Sequence, residues 1–286
     1  LETEKDAMSS PLERINERLT RAERLWLFLD YDGTLADLAP TPDHVHADPE
    51  LVDLITRLAE HPCIRVTVVS GRRLRHVEAL VPVPGILLAG TYGVELRTPD
   101  GRWVNRVEYH RVRPVLDAIK PRWLQLVQER AGLFLEDKGW ALALHARFAG
   151  DDVAKAILNE ARRAAHAAAD SDSFRVLGGY KFLEVGPKLA HKGRTVAYLL
   201  DEYPLPGAQL FYLGDDDKDE EAFDVIREQG GTAILVASQP RATKADYRLE
   251  SPQDVRHWLE MLPLLLARSS TQTSGQRKGN RPSPAG

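Results

Sequence analysis

Short apolar runs that stop abruptly at charged or small residues alternate, at both ends of the chain, with stretches whose apolar positions recur every three or four residues. Leu25–Leu29 is an unbroken apolar run closed by Asp30; Ile64–Val69 closes at Ser70-Gly71-Arg72; Gly85–Ala89 runs into Gly90-Thr91-Tyr92-Gly93. Runs of this length without polar alternation predict strands buried on both faces. Helices are predicted between them. Ser10-Pro11 reads as N-cap and first helical residue ahead of Leu12, Ile15 and Leu19, and Asp48-Pro49 caps a helix carrying Leu51, Leu54, Ile55 and Leu58. After Pro187 the rhythm returns as helix Gly193–Leu200, strand Leu210–Leu213, helix Lys218–Glu228, strand Thr232–Val236 and helix Pro252–Leu266. Strands alternating with helices imply an α/β, Rossmann-like core with a parallel sheet covered on both faces.

The middle of the chain has another rhythm. A helix over Val112–Ala131 leads to a hairpin of Leu133–Glu136 and Trp140–Arg147, turning at Lys138-Gly139. An Ala-rich helix over Asp152–Ala169 leads to a second hairpin of Phe174–Leu177 and Lys181–Val185, turning at Gly178-Gly179. Helix-hairpin-helix-hairpin implies a separate α+β domain inserted into the first. The expected organisation is an N-terminal segment and helix over 1–24, core over 25–110, inserted domain over 111–186, core again over 187–268, and a disordered tail over 269–286. The tail expectation rests on composition: SSTQTSGQRKGNRPSPAG has almost nothing apolar to bury.

Composition narrows the function classes. The length of 286 residues gives a prior of about two domains at roughly 150 each. Lys+Arg 38 against Asp+Glu 42 leaves a net charge of -4, so no basic field draws the protein to nucleic acid. No apolar run approaches the ~20 residues of a membrane helix, and no nucleic-acid or membrane partner is expected. The N-terminal LETEKDAMSS is polar, with Met8 a candidate start. The single cysteine, Cys63, excludes an internal disulfide framework and is expected as buried filler, which suits a reducing, cytoplasmic setting. Nothing in the sequence calls for more than a monomer.

The candidate chemistry lies at the ends of predicted strands, where open parallel sheets bind ligands. Leu29-Asp30-Tyr31-Asp32-Gly33-Thr34 sets two carboxylates two residues apart beyond the first strand, with Gly33 free to make a tight turn. Alone, D-x-D-G also reads as a turn initiator. Gly214-Asp215-Asp216-Asp217-Lys218-Asp219-Glu220-Glu221 follows another buried strand. Part of it is the acidic first turn of a helix, which accounts for Asp217, Glu220 and Glu221. Carboxylates 4 Å apart repel by roughly 4 kcal/mol at an effective dielectric of 20. Asp215 and Asp216 stand at the strand edge, and gathering Asp30, Asp32 and Asp215 there calls for a cation, for which hard oxygen donors suit Mg²⁺. Lys192 opens a predicted helix, where it opposes the dipole unless an anion such as phosphate lies there. Ser70, Gly71 and Arg72 offer a hydroxyl, a backbone N–H and a cation for phosphate oxygens, while Arg73 reads as surface.

Asp30-Tyr31-Asp32-Gly33-Thr34, Ser70-Gly71-Arg72, Lys192 and Gly214-Asp215-Asp216, in that order, resemble the four motifs of haloacid-dehalogenase-like phosphatases. The finer resemblance is to the trehalose-6-phosphate phosphatase family and covers about Leu25 to Leu266. It rests on Ala89–Glu95, Glu136-Asp137-Lys138-Gly139, Leu144-His145-Ala146-Arg147 and Lys181-Phe182-Leu183-Glu184 leading to Lys192-Gly193. The resemblance implies a C2-type cap and hydrolysis of trehalose 6-phosphate to trehalose and phosphate. It implies Asp30 as nucleophile forming an aspartyl phosphate, and Asp32 as general acid and base. Mg²⁺ would be held by the Asp30 carboxylate, the Asp32 carbonyl and Asp215, with Asp216 supporting. Ser70 and Lys192 would hold phosphate oxygens, with Lys192 also placing Asp30. Glu136, Lys138, Lys181 and Glu184 of the cap are candidates for sugar hydroxyls; exposed polar residues on alternating strands are the alternative. His145 and Arg147 equally read as a surface pair, and Trp140 and Phe182 as cap core. Two positions depart from the family: Tyr92, where histidine is frequent, and Lys218, where threonine is common. Sucrose phosphate or a mannosylglycerate-type phosphate is the rival substrate. A phosphoacceptor signalling domain shares the aspartates, lysine and Mg²⁺, but lacks the long insertion between Ser70 and Lys192. A silent sugar-phosphate binder would not need both Asp30 and Asp32.

Overall fold

The computed structural model describes Glu13, Ile15, Asn16, Leu19, residues 22–38 and residues 46–278, with side chains to residue 267. The core strands are β1 (Arg24–Leu29), β2 (Ile64–Val69), β3 (Leu87–Gly90), β4 (Glu95–Arg97), β5 (Trp103–Asn105), β10 (Ala208–Gly214), β11 (Thr232–Val236) and β12 (Tyr247–Leu249). They form one sheet in the order β12-β11-β10-β1-β2-β3-β4-β5, parallel from β12 to β3, with β4 antiparallel to both β3 and β5. The core helices are α1 (Pro49–Glu60), α2 (Leu74–Leu80), α5 (Lys192–Glu202), α6 (Glu220–Glu228) and α7 (Pro252–Lys278).

Strand β1 shows why its sequence has no polar alternation. Leu25, Leu27 and Leu29 pack with Leu54 and Leu58 of α1 and Trp258 of α7. The intervening Trp26 and Phe28 pack on the opposite face with Leu199 of α5 and Phe223 of α6. Both sheet faces are covered, so every position along β1 beyond Arg24 is buried. Asp48 caps α1, its Oδ1 accepting from the Glu50 and Leu51 amides, and Pro49 stands at the start of the helix. Ile15 and Leu19 are helical and buried in the same core; Ser10, Pro11 and Leu12 lie outside the described residues.

The inserted domain comprises α3 (Tyr109–Val127), β6 (Phe134–Asp137), β7 (Leu142–His145), α4 (Asp151–Ala168), β8 (Phe174–Gly179) and β9 (Phe182–Pro187). Its antiparallel sheet runs β6-β7-β9-β8. Trp123 and Leu116 of α3, Ala161 of α4, and Leu142, Leu144, Leu183 and Val185 of the sheet form a second core, distinct from the two on the parallel sheet.

Three sequence expectations are corrected. The second hairpin turns at Tyr180-Lys181, because Gly179 pairs with Phe182 and Lys181 takes the positive φ of 50°. Gly178 stays in the strand because Arg162 fills the space beside it, where a Cβ would meet a guanidinium nitrogen at 2.4 Å. Order does not end at residue 268. The last helix runs to Lys278, and residues 279–286 of the expected tail lie outside the described residues. Cys63 is half-buried at the edge of the first core. The edge strands β4, β5 and β12 have three residues each, too few for a periodic signal.

Candidate active site

Register brings the motif residues together. Leu29 pairs with Leu213, and the Asp30 amide donates to the Leu213 carbonyl at 2.9 Å, so β1 and β10 end level with their acidic loops side by side. Gly33, with φ 81°, lies against Asp215 so closely that a Cβ there would sit 2.1 Å from a carboxylate oxygen. Beyond β2, Ser70 and Arg72 are tied to the next loop: the Tyr92 amide donates to the Ser70 carbonyl at 2.8 Å and the Thr91 amide to the Arg72 carbonyl at 2.7 Å. Thr91 and Tyr92 both have positive φ, 47° and 53°. The tight Gly90–Gly93 turn is fixed by Thr195, whose hydroxyl donates to the Tyr92 carbonyl at 2.7 Å. Glu95 adds to it, accepting from the Thr91 hydroxyl and the Leu74 amide, each at 3.1 Å.

Carboxylate oxygens of Asp30, Asp215 and Asp219 lie within 4.8 Å of one another. Lys192 Nζ donates to Asp30 Oδ1 at 2.8 Å and Asp219 Oδ1 at 2.6 Å, with all three residues buried. Asp219 is the member that sequence reading missed. Its Oδ1 also accepts from the Tyr212 hydroxyl at 2.7 Å, and its Oδ2 accepts from the Asp215 and Asp216 amides at 3.2 and 3.1 Å. Four donors match the capacity of a carboxylate, so Asp219 organises the loop while Asp30 and Asp215 keep free lone pairs. The available signal was Tyr212, a hydroxyl facing inward on an otherwise apolar strand seven residues before that aspartate.

Charge balance shows what the cluster can hold. Burial, then the neighbouring carboxylates of Asp219, Asp215 and Asp216, push Asp30 well above the ordinary range although Lys192 opposes them. Burial and the charges of Asp219 and Asp216 push Asp215 up to about 7. Lys192 is held charged because Asp219 and Asp30 outweigh its burial. One ammonium thus faces three carboxylates, two of them buried, and hard oxygen donors are present to take a divalent metal ion.

The other expected metal residues are placed differently. The Asp32 carboxylate is gripped side-on by Arg72, Nε to Oδ2 and Nη2 to Oδ1, both 2.7 Å. Asp216 accepts from the Lys218 amide at 2.7 Å and its Nζ at 2.8 Å. The charges of Lys192 and Lys218 hold it below the usual range although partial desolvation opposes them. Arg72, expected on phosphate, has its guanidinium on Asp32, and the Ser70 hydroxyl oxygen accepts from the Arg72 amide at 3.1 Å. Arg73 is only partly exposed and packs on Gly139 of the cap, its Nε buried without a hydrogen bond.

The cap sheet closes a cleft of about 430 Å³ over these loops. Lys138 reaches across from the cap, Nζ donating to the Gly71 carbonyl at 3.2 Å and to Glu184 Oε2 at 2.7 Å. Lys138 lines the cleft; Glu184 lies buried beneath it, outside the lining. Glu136 lines the cleft and pairs with His145 Nε2 at 3.0 Å. Burial works against its charge, but that hydrogen bond and Lys138 hold its carboxyl below the usual range. Lys181 also lines the cleft, its Nζ turned back to the Ala149 carbonyl and Asp151, both at 2.7 Å. Trp140 is cap core. Phe182 is not: it lines the cleft, with Lys218 Nζ 5.0 Å from its ring centroid.

A capped parallel-sheet core with aspartates at the ends of β1 and β10 and a lysine opening α5 defines the haloacid-dehalogenase-like hydrolase fold. Residues 28–253 match the trehalose-phosphatase family model, and the chain belongs to that family. It is 33% identical over 242 residues to a probable trehalose-phosphate phosphatase of Sinorhizobium fredii, covering 84% of this chain and 88% of the relative. It is 31% identical to the trehalose-phosphate phosphatase of Mycobacterium leprae, covering 82% of this chain but only 57% of that longer relative. Among solved structures, the C-terminal domain of Candida albicans trehalose-6-phosphate phosphatase superposes with TM-score 0.75 at 22% identity, covering 91% of this chain and 97% of that one. No helix among the described residues is long and apolar enough to cross a membrane.

Proposed function

We propose that the protein is a Mg²⁺-dependent phosphatase that converts trehalose 6-phosphate to trehalose and phosphate through an aspartyl phosphate on Asp30. The observation that carries this reading is the triad of Asp30, Lys192 and Asp219 beside Asp215, roofed by a cap of sugar-sized cleft. Asp30, Asp215 and the Asp32 carbonyl, with Asp216 in support, would hold Mg²⁺, whose positive charge would offset repulsion between nucleophile and phosphate dianion.

The chain's own residues then have distinct tasks. Lys192 aims Asp30 and its charge opposes the protonation that burial favours, so that a carboxylate oxygen attacks phosphorus. As that bond forms, the bond from phosphorus to the sugar oxygen breaks, and Asp32 gives its proton to the departing oxygen. Asp32 then takes a proton from water; the hydroxide attacks phosphorus, the Asp30–phosphorus bond breaks, and phosphate leaves. Ser70, Gly71 and Lys192 hold phosphate oxygens. Glu136 and Lys138, cross-linked to His145 and Glu184, present charged atoms to sugar hydroxyls, and the closed cap excludes bulk water.

The reading is tested by phosphate release from trehalose 6-phosphate with Mg²⁺. Asp30→Asn removes the nucleophile and is expected to lower kcat at least 1000-fold; an Asp30→Asn enzyme with undiminished turnover refutes it. Comparing kcat/KM with sucrose phosphate and mannosylglycerate phosphate checks the sugar.

A further inference from the structure

Arg175 lies on β8 of the cap, yet its guanidinium is bonded to the core. Nη1 donates to the Ala190 carbonyl at 3.0 Å and to Glu221 Oε2 at 3.3 Å, while Nη2 donates to Glu221 Oε1. Both partners are largely shielded, the Arg175 side chain being 16% exposed and that of Glu221 21%. Neither residue is among those lining the cleft.

What this clasp holds gives it a task. Ala190 stands two residues before Lys192, and Glu221 two residues after Asp219. Lys192 opens α5 and Asp219 is the N-cap of α6, so Arg175 grips the approach to one helix and the first turn of the other. The two helix starts are in close contact: a Cβ on Gly193 would sit 2.1 Å from the Glu221 carbonyl oxygen. Glu221 Oε2 also lies 3.0 Å from Nδ1 of His191, the residue that caps α5. Across this junction Lys192 Nζ meets both Asp219 and Asp30. The outgoing passage from core to cap reaches the same helix, because Arg106 Nη1 donates to the Thr195 hydroxyl oxygen at 3.0 Å and to the Gly93 carbonyl at 3.1 Å. Each passage between core and cap is therefore tied beside α5 by an arginine. A two-armed guanidinium contact fixes orientation as well as distance, and misplacing a reacting group by about 1 Å can cost roughly 100-fold in rate.

We propose that Arg175 is a positioning residue, whose clasp on Ala190 and Glu221 makes the seating of the cap and the alignment of Lys192 on Asp30 one arrangement. With the cap seated, the starts of α5 and α6 are held together and Lys192 lies between Asp219 and Asp30. When the cap lifts, the clasp parts and that alignment relaxes. The effect on turnover rests on the phosphatase reading above, and the proposal adds to it a residue that acts from outside the cleft.

The experiment compares wild type, Arg175→Met and Arg175→Lys on trehalose 6-phosphate and on p-nitrophenyl phosphate, an ester with no sugar. Arg175→Met is expected to lower kcat at least tenfold on both esters while KM changes less than threefold. Arg175→Lys, whose ammonium can still pair with Glu221, should regain part of that loss. A rise in KM for the sugar ester alone, or an unchanged kcat on both esters, overturns the proposal. Nitrogen NMR without substrate reads the Lys192 ammonium directly, its resonance identified by its loss in Lys192→Met. That resonance should shift in Arg175→Met and move back toward the wild-type position in Arg175→Lys; an unmoved resonance in Arg175→Met also overturns the proposal. If Arg175→Met does not fold, the near-isosteric Glu221→Gln takes its place in both measurements with the same expectations. If wild type hydrolyses neither ester, the phosphatase reading falls, and the Lys192 resonance still decides the clasp.

Discussion

At the scale of single residues, the site is organised around Asp219 as much as around the residues that do chemistry. It accepts four hydrogen bonds, ties β10 to the start of α6 and neutralises Lys192. Removing one partner of a buried ion pair costs on the order of 3–5 kcal/mol. Asp219→Ala is therefore expected to lose about 3 kcal/mol of stability in urea unfolding and to weaken Mg²⁺ binding at least tenfold in calorimetry. A variant with unchanged metal affinity would show that the Asp215 loop holds its shape without that carboxylate. The Arg72 grip on Asp32 is a second residue-scale feature. It engages both oxygens of the Asp32 carboxylate, which stands outside the Asp30–Asp215–Asp219 cluster.

At the scale of elements, the Gly90–Gly93 turn carries information that apolar periodicity does not. It joins β3 to β4, is stitched to the Ser70–Arg72 loop, and buries Tyr92 against the Glu184 and Lys138 side chains. Burial, then Glu184, pushes the Tyr92 hydroxyl up to about 12. Between pH 10 and 12 the unfolded chain loses that proton while the folded one keeps it, so stability falls as pH rises through this window. Tyr92→Phe is expected to flatten that fall by up to about 2–3 kcal/mol, read as denaturation midpoints at pH 9 and pH 11.5. Equal slopes in both proteins would place the ring in contact with water.

Strands and helices of the core were legible because their apolar runs are long and bounded by Asp, Ser-Gly or Gly-Asp. The α+β insertion was legible because two hairpins follow two helices. Residues whose roles depend on distant partners were not. Phe182 reads as cap core until β7 is seen to bring His145 beside it, and Arg72 reads as a phosphate ligand until Asp32 is seen 40 residues away in sequence and 2.7 Å away in space. Turn position was misread where glycine served packing, as at Gly178 beneath Arg162, rather than backbone freedom.

At the scale of the whole molecule, the cap meets the core through an apolar seam, where Tyr92, Val94 and Ala190 join the cap's buried cluster, and through polar contacts around it. Arg175 of β8 pairs with Glu221 of α6 and donates to the Ala190 carbonyl; Lys138 reaches Gly71; Lys218 lies over Phe182. These outer contacts can be exchanged with water, which suits a cap that opens for substrate and closes for chemistry. Solution scattering is expected to show a smaller radius of gyration with Mg²⁺ and a phosphate analogue than without them. Identical profiles would mean that the closed arrangement persists without ligand.

The central claim is that Asp30 carries the phosphoryl group between sugar and water, and its most direct measurement is an acid quench during turnover of phosphorus-labelled trehalose 6-phosphate, followed by peptide mapping. The label is expected on the peptide containing Asp30, in larger amount in Asp32→Asn than in wild type, because the second step lacks its base. Label on another residue, or Asp30→Ala turning over at the wild-type rate, would contradict the account.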